Sequence, residues 1–371
     1  MTVLYDHQCF TGATYGGVSR YFFDLMRHYV NRSDIQFELS LLLSNNEYLR
    51  QQSFSRHWRY RPLAHQRNVN RAASLLNRQF SLRRIKAGHY DVFHPTYYHR
   101  YFLNALGRKP FVLTFHDASS ERFGDKYPEL GAGLYETKKI LLARADAVIA
   151  VSQFTKDEIL RFFSVDPAKI HVVPLSTAMG DLTTSAALAH HPKLPYPYLL
   201  FVGKRDLYKN FTGFFRALTP VMAQHPDLRL VCAGGGSFSA AEQALFRNAQ
   251  LTDRVVYAPI ASDLTLLHLY QHAQAFVFPS LNEGFGIPVL EAFAGQCPAI
   301  LSDRSSLPEV AGPAAVYFDP EREESITDAI GRVVGNDTLR AELVRLGTER
   351  LTHFSGQKTA EQTLAVYQSL R

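Results

Sequence analysis

Short, continuously apolar runs alternate with amphipathic stretches along most of the sequence. In the first half, we predict strands at 3–6, 37–43, 92–94, 111–115, 147–151 and 171–173, and helices at 18–29, 72–85, 134–143 and 156–163. Strands that are apolar throughout are typical of sheets covered on both faces, and strands separated by helices pair in parallel. The alternation therefore predicts an α/β fold built on parallel sheets.

The pattern stops and then restarts. Residues 176–197 are rich in Ala, Thr, His and Pro, which is typical of a linker. Beyond them we predict strands at 198–202, 228–232, 255–257, 275–278 and 299–301, and helices at 213–222, 264–272, 289–294, 325–335, 339–346 and 358–370. We therefore expect an N-terminal domain over 1–180, completed by a C-terminal helix at 355–371, a linker at 181–197 and a C-terminal domain over 198–354. The length of 371 residues allows each domain its own core.

Composition excludes several classes of protein. With 46% hydrophobic and 20% charged residues, the chain is neither disordered nor fibrous. Its three cysteines, Cys9, Cys232 and Cys297, are widely spaced, which argues against a zinc site or a disulfide framework and for a reducing compartment. We identify no secretory signal and no run of about 18 apolar residues that would span a bilayer. The expected location is the cytoplasm.

The most informative stretch is Pro279–Pro298, with the sequence PSLNEGFGIPVLEAFAGQCP. Glu283 precedes a glycine-rich turn after a predicted strand, and Pro288 suits the first turn of the following helix. Glycines let the backbone approach a ligand, and the N–H groups at a helix start favour an anion such as phosphate. The carboxylates of Glu283 and Glu291 could accept hydrogen bonds from sugar hydroxyls. The alternative is an ordinary strand–turn–helix.

The segment FVGKRDLYKN at 201–210 places two cations beyond a strand that ends near Gly203. Arg205 and Lys209 could hold a diphosphate, the arginine by two parallel hydrogen bonds and the lysine as a point charge. They would offset the charge that develops on a departing nucleoside diphosphate. The alternative is a solvated surface pair, which is the expected state of Lys204.

These stretches resemble the retaining glycosyltransferases of family 4, which have the two-domain GT-B fold. The resemblance rests on Glu283-GFGIPVL-Glu291-AFAG and FVGKRDLYKN, on YGGVSRYF near the start, on TFHD at 114–117 and on ADAVIAVSQFTKDEI at 145–159. The start is similar to a bacterial subgroup that builds cell-surface polysaccharides. The resemblance implies two Rossmann-like, doubly wound domains facing across a cleft.

The resemblance also implies roles for residues of the C-terminal domain. The donor, a nucleotide-diphosphate sugar, would bind at Gly203, Gly284, Phe285 and Gly286, with its diphosphate on Arg205 and Lys209. Glu283 would hold the hydroxyls of the transferred sugar and Glu291 those of the donor ribose. In the family a glycine usually packs on the nucleobase, but this chain has Ala258 and Pro259 there, so the identity of the base stays open.

In the N-terminal domain, the resemblance places Gly16 and Gly17 opposite the donor diphosphate and the acceptor, and His116 against the donor sugar. The alternatives are a tight turn before a helix for the glycines and a structural histidine for His116. Asp117 could orient His116 or cap the next turn. We expect Ser152 to cap a helix.

The resemblance implies transfer of a hexose with retention, by a front-face substitution in which the leaving phosphate helps accept the acceptor's proton. A GDP-mannose-like donor is favoured, with a UDP-sugar next, and the acceptor would be a hydroxyl of a lipid-linked or cell-surface glycan. No Asp-x-Asp motif occurs, so we expect neither a metal nor a cofactor. The alternatives are an epimerase or phosphorylase on the same fold, or a non-catalytic glycan- or nucleotide-binding protein.

A basic segment, residues 56–109, holds 12 Lys and Arg residues and one acid, Asp91. Within it, Leu75, Leu76, Phe80 and Ile85 could form the apolar stripe of the predicted helix 72–85. Basic and aromatic residues together favour an anionic membrane surface or a lipid-diphosphate acceptor. The alternative is a solvated connector; no motif supports nucleic-acid binding. We therefore expect a peripheral protein on the inner face of the cytoplasmic membrane.

Overall fold

The computed structural model describes residues 1–12, 14–50, 52–60, 67–131, 133–183, 193–205 and 207–371. They form two compact units, one made of Met1–Ser176 with Gly356–Arg371 and the other of Thr177–Ser355. Most of the predicted linker at 181–197 lies outside the described residues, because 184–192 are among the gaps.

The first unit is a parallel sheet with helices between its strands. The strands are β1 (Thr2–Tyr5), β2 (Gln36–Leu39), β3 (Leu43–Ser44), β4 (Trp58–Arg59), β5 (Val92–His94), β6 (Val112–Phe115), β7 (Ala147–Ala150) and β8 (Ile170–Val172). They pair in the orders β2-β1-β5 and β6-β7-β8, and a parallel bridge between Phe93 and Phe111 joins the two groups. A separate small sheet pairs β3 with β4. The buried strands follow from their continuous apolar sequence.

Among the described residues before the second unit, the α-helices are α1 (Gly17–Tyr29), α2 (Arg67–Ala87), α3 (Ser119–Phe123), α4 (Leu134–Arg144) and α5 (Gln153–Phe162). The predicted apolar stripe on α2 is wrong for Leu75 and Leu76, which are exposed. The helix instead buries positions spaced by four, namely Ala73, Asn77, Ser81 and Ile85. Polar side chains can face inward there because the side chains of Asn77 and Ser81 form hydrogen bonds within the unit.

The second unit has one six-stranded parallel sheet. Its strands are β9 (Tyr198–Val202), β10 (Arg229–Ala233), β11 (Val255–Ala258), β12 (Ala275–Phe278), β13 (Ala299–Ser302) and β14 (Ala315–Phe318), in the order β11-β10-β9-β12-β13-β14. Its helices are α6 (Phe211–Gln224), α7 (Ala240–Asn248), α8 (Asp263–His272), α9 (Ile287–Ala294), α10 (Leu307–Ala311), α11 (Glu323–Val333) and α12 (Asp337–Leu351). The strand order reverses between β9 and β12, and ligands of doubly wound sheets bind at the carboxyl ends of the strands beside such a point.

The last helix, α13 (Gly356–Gln368), belongs to the first unit. The buried hydroxyl of Tyr367 lies 2.9 Å from that of Tyr5 on β1 and 2.6 Å from Nδ1 of His94 on β5. Tyr29 of α1 donates its hydroxyl to the carbonyl of Ala360 at 2.8 Å. These buried contacts fix α13 against the sheet and against α1.

Candidate active site

Two loops of the second unit leave neighbouring strands at the reversal point. After β9, Gly203 has a φ of +116°, and after β12, Gly286 has a φ of +94°, both in the region that favours glycine. A Cβ added to Gly286 would lie 2.8 Å from Cδ2 of Leu307, so a side chain there would also clash. Gly286 is the N-cap of α9, and Pro288 lies in the first turn, as predicted. Gly284 lies in the same turn.

The structure brings Lys209 and Glu283 together across the two loops. Nζ of Lys209 donates to Oε1 of Glu283 at 2.6 Å, and the two side chains are 21% and 12% exposed. The backbone of Glu283 is fixed on both sides, because its N–H donates to Oγ of Ser305 at 3.0 Å and its carbonyl accepts from Ser306 at 2.9 Å. A positioned cation and carboxylate therefore stand just before the N-terminus of α9.

Near that turn, Glu291 has a polar contact and Phe285 an apolar one. Oε2 of Glu291, inside α9, accepts from the hydroxyl of Tyr270 at 3.2 Å. Burial, followed by the charge of Glu291, raises the pKa of Tyr270 well above its ordinary value, so its hydroxyl remains a donor. Phe285 is buried, and its ring packs edge-on against Phe354 at 5.7 Å. Phe285 thus anchors the turn that the two glycines shape.

Arg205 is held by groups of its own unit. Its side chain is 3% exposed. Nε donates to Oε1 of Glu242 at 2.6 Å, and the two terminal nitrogens donate to the carbonyls of Gly234 at 2.9 Å and Gly236 at 2.7 Å. Its immediate effect is therefore to shape the loop after β10, and its contact with a diphosphate stays a prediction. Lys204, beside it, is exposed as expected.

The loop that Arg205 holds, residues 234–236, was not predicted from the sequence. Gly234, Gly235 and Gly236 all have positive φ, and a Cβ on Gly235 would lie 2.5 Å from the carbonyl oxygen of Gly203. Three consecutive glycines shortly after the strand predicted at 228–232 were the available indication. The N–H of Gly234 donates to the carbonyl of Ala258 at 3.4 Å, so this loop adjoins the segment that the family resemblance places against the nucleobase. Pro259 directly follows Ala258 there.

The remaining predicted residues lie in the first unit. His116 directly follows β6; its N–H donates to the Tyr98 hydroxyl at 2.7 Å, and its ring lies 5.7 Å from that of Tyr21. Burial, aided by the charge of Lys138, lowers the pKa of His116 to about 4 despite the neighbouring Asp117, so the ring is neutral at pH 7. Asp117 caps the turn, because its Oδ1 accepts from the Ser119 N–H at 2.8 Å.

Gly16 and Gly17 lie at the N-terminus of α1, as the predicted helix start requires. Gly16 is extended, and a Cβ on Gly17 would meet nothing within 4 Å among the described residues. Packing within this unit therefore does not demand glycine at Gly17. Ser152 caps α5, as predicted, by accepting from the N–H of Thr155.

The basic segment presents apolar side chains to solvent. Trp58 on β4 is 76% exposed and Leu75 on α2 is 60% exposed, and Leu76 is exposed as well. The hydroxyl of Tyr60 donates to Oδ1 of Asn70 at 3.1 Å, which ties the chain after β4 to α2. Within the described chain, no helix has the length and hydropathy needed to cross a bilayer.

Comparison with known proteins matches each half of the chain to a glycosyltransferase family model. Residues 15–176 match the family described as Glycosyltransferase Family 4, and residues 189–350 match Glycosyl transferases group 1. The chain is 27% identical over 272 residues to O-antigen chain mannosyltransferase B of Escherichia coli, covering 70% of each protein. It is 32% identical over 195 residues to O-antigen chain mannosyltransferase RfbU of Salmonella typhimurium, covering 53% of each.

Solved structures show the same fold along the chain. Sucrose-phosphate synthase from Thermosynechococcus elongatus superposes with a TM-score of 0.77 at 21% identity, covering 100% of this chain and 98% of that one. Anabaena HepE, solved with UDP and glucose, superposes with a TM-score of 0.76 at 15% identity, covering 99% of both. At 21% and 15% sequence identity, these superpositions support a shared fold and not a shared substrate.

Proposed function

Because this chain is a member of glycosyltransferase family 4 with the GT-B fold, we propose that it transfers a hexose, with retention, from a nucleotide-diphosphate sugar to an acceptor hydroxyl. One observation carries the proposal: the Lys209–Glu283 pair at 2.6 Å, placed just before the N-terminus of α9. A phosphate-binding cation and a hydroxyl-binding carboxylate thus stand side by side. A donor that joins a diphosphate to a sugar presents both kinds of group to them.

The chemistry follows from those two groups. The diphosphate would bind to Lys209 and to the N–H groups that begin α9, where the helix dipole also favours negative charge. Charge develops on the diphosphate as the sugar–oxygen bond breaks, and fixed positive groups stabilise it. Glu283 would accept hydrogen bonds from hydroxyls of the transferred sugar, and Glu291 would accept them from hydroxyls of the donor ribose. Retention would follow if the acceptor hydroxyl attacks the face that the diphosphate leaves and gives it the proton.

The predicted site residues of the first unit would bind sugar hydroxyls and admit the acceptor. His116 is neutral at pH 7, so it can accept or donate a hydrogen bond to a sugar hydroxyl without adding charge. Gly16 and Gly17 would allow the donor and acceptor to approach the start of α1. Arg205 would act on the donor site by holding the loop Gly234–Gly236 in place.

Donor and acceptor identities are proposed from the relatives. Two of them are named as O-antigen chain mannosyltransferases, which favours a GDP-mannose-like donor, with a UDP-sugar next, and a lipid-linked or cell-surface glycan acceptor. No step of the proposed mechanism calls for a metal ion or cofactor. The exposed Trp58 and Leu75, with the arginines of α2, suit the surface of an anionic membrane. This would place the protein on the inner face of the cytoplasmic membrane.

The test is transfer of labelled mannose from GDP-mannose to a bacterial lipid extract, with EDTA present. We expect a labelled glycolipid whose one-bond C1–H1 coupling in NMR shows the same anomeric configuration as the donor. An inverted product would refute retention, and activity lost to EDTA and restored by manganese would refute metal independence. A product that forms without acceptor would indicate an epimerase, and dependence on free phosphate a phosphorylase. Nucleotide binding without any turnover would indicate a binding protein.

A further inference from the structure

The first unit contains a cavity that the proposed chemistry of the second unit does not use. Its volume is about 550 Å³. It lies at the carboxyl ends of β1 and β5, which are neighbouring strands, and α2 forms its remaining wall. Parallel sheets of this kind bind ligands at the carboxyl ends of their strands. The position and size suit a ligand of one or two sugar rings.

The α2 wall of the cavity carries positive charge. Arg71, Ser74 and Arg78 line it, and their spacing places them on one face of the helix. No Asp or Glu is among the described residues that line the cavity. The guanidinium of Arg78 lies 5.6 Å from the ring centre of Tyr101, which helps to hold it in place. An uncompensated arginine pair on one face favours an anionic ligand with several oxygens, such as a phosphate.

The nearest carboxylate, Asp6, is already engaged by protein groups. Its Oδ2 accepts from Gln8 at 2.6 Å and from the hydroxyl of Tyr101 at 3.0 Å. Its Oδ1 accepts from the N–H and the hydroxyl of Thr96, both at 2.8 Å. Asp6 therefore organises the cavity wall, and the two arginines stay available for a ligand.

His7 offers the cavity a buried hydrogen-bond acceptor. Thr11 donates its hydroxyl proton to the His7 carbonyl at 3.0 Å and accepts from Nδ2 of Asn77 at 2.8 Å. Its oxygen can therefore only accept from Nδ1 of His7, 3.1 Å away, so Nδ1 carries the proton and Nε2 has a free lone pair.

That nitrogen is buried without a partner. His7 is 4% exposed, and its Nε2 has no hydrogen-bond partner among the described residues. Burial is the largest influence and, together with the charge of Arg78 and the electrostatic interaction with His99, lowers the pKa of His7 despite Asp6, so the ring is neutral at pH 7. A buried acceptor at the wall of a cavity favours a ligand with a hydroxyl donor.

We propose that this cavity binds a phosphorylated sugar, with the phosphate on Arg71 and Arg78 and a sugar hydroxyl donating to Nε2 of His7. The exposed ring of Tyr97 at the same cavity would pack against the sugar. The ligand would be the acceptor, an assignment that rests on the proposed function. Its sugar phosphate could be free or could be the head of a lipid-linked glycan.

The experiment is calorimetric titration of the full chain with glucose 1-phosphate, with glucose and with inorganic phosphate. The variant is the double substitution Arg71→Gln/Arg78→Gln, and the matched control is Arg83→Gln, an exposed arginine on α2 outside the cavity. We expect glucose 1-phosphate to bind at least about tenfold more tightly than glucose, with that advantage lost in the double variant and kept in the control. Equal binding to the wild type and the double variant, or no saturable binding to the wild type, would overturn the proposal.

Two further titrations distinguish a lipid-linked from a free sugar phosphate, and a failure of the cavity proposal from a failure of the proposed function. A prenyl phosphosugar in phosphatidylcholine vesicles that binds more tightly than glucose 1-phosphate would identify a lipid-linked ligand, and equal affinities would identify a free sugar phosphate. GDP is titrated into the same wild-type preparation. If GDP binds but glucose 1-phosphate does not, the cavity proposal fails alone. If glucose 1-phosphate binds through the two arginines but no nucleotide binds, the proposed function fails and the cavity remains a sugar-phosphate site.

Discussion

Replacing Lys209 with methionine is expected to weaken the binding of GDP by about 10- to 100-fold, since one hydrogen bond to a charged group contributes about 1.5–3 kcal/mol. Methionine keeps much of the aliphatic stem and removes the ammonium, which lies 5.6 Å from the ring centre of Phe278. The loss should approach the upper value, because Glu283, now without the partner 2.6 Å away, would face the diphosphate as a buried negative charge.

The matched variant, Glu283→Gln, should behave in the opposite way. It removes the carboxylate that competes for Nζ of Lys209 in the free protein, so GDP should bind as tightly as before or more tightly. Hexose transfer should nevertheless fall by about 10²-fold or more, the effect of losing one group that acts on the reacting sugar.

Calorimetry with GDP and a transfer assay, run on both variants, separate binding from turnover. The reasoning would be refuted if Lys209→Met bound GDP within about twofold of the wild type. It would also be refuted if Glu283→Gln abolished GDP binding, because the carboxylate would then be holding the nucleotide and not the sugar.

Three further perturbations test other parts of the structure. Arg205→Ala should lower turnover by about 10²-fold and also lower the melting temperature, because it removes the donor to Oε1 of Glu242 and to the carbonyls of Gly234, Gly236 and Ser237. Normal turnover and melting would contradict its positioning role. Burial lowers the pKa of His94 to about 3, so stability is present above the unfolded-state pKa of about 6.5 and is lost as the pH falls below it. Between pH 7 and pH 5, urea unfolding should show that His94→Gln loses about 2 kcal/mol less stability than the wild type, since buried His116 titrates in both proteins, and equal losses in the two proteins would assign the effect to other groups. Truncation after Ser355 removes the buried Leu364 and Tyr367 at about 1.5–3 kcal/mol each, so the first unit should lose protease resistance, whereas removal of Arg371 alone should not change it.

Buried strands were the part of the fold most readily predicted from the sequence. The predicted strands at 92–94, 198–202 and 275–278 coincide with β5, β9 and β12. Each is fully buried, and apart from His94 in β5 its residues are apolar or aromatic, which is the pattern expected of strands covered on both faces. The capping role of Ser152 was also predicted, although α5 begins at Gln153 and not at the predicted position 156.

Elements whose buried face is polar, or whose length is short, escaped prediction. The strand predicted at 37–43 ends at Leu39, because Oδ1 of Asn77 accepts the N–H groups of Leu42 and Leu43 in place of a strand partner. The same asparagine explains why α2 does not bury Leu75. Helix α7 was missed, although Ser239 and Glu242 form a capping box that marks its start.

The candidate site was predicted as a set of residues but not as a geometry. Motif spacing places Lys209 after β9 and Glu283 after β12, but only strand pairing brings the two side chains within 2.6 Å. The environment of Arg205 could not be foreseen either, because its partners come from the loop after β10 and from α7. The cavity at His7 depends on contacts among β1, β5 and α2, which no local pattern records.

A crystal structure of the full chain with GDP tests the central claim most directly. We expect the diphosphate within hydrogen-bond distance of Nζ of Lys209 and of the N–H groups at Gly284–Ile287, with the ribose next to Glu291. A diphosphate bound elsewhere, with the Lys209–Glu283 pair undisturbed and α9 untouched, would contradict it.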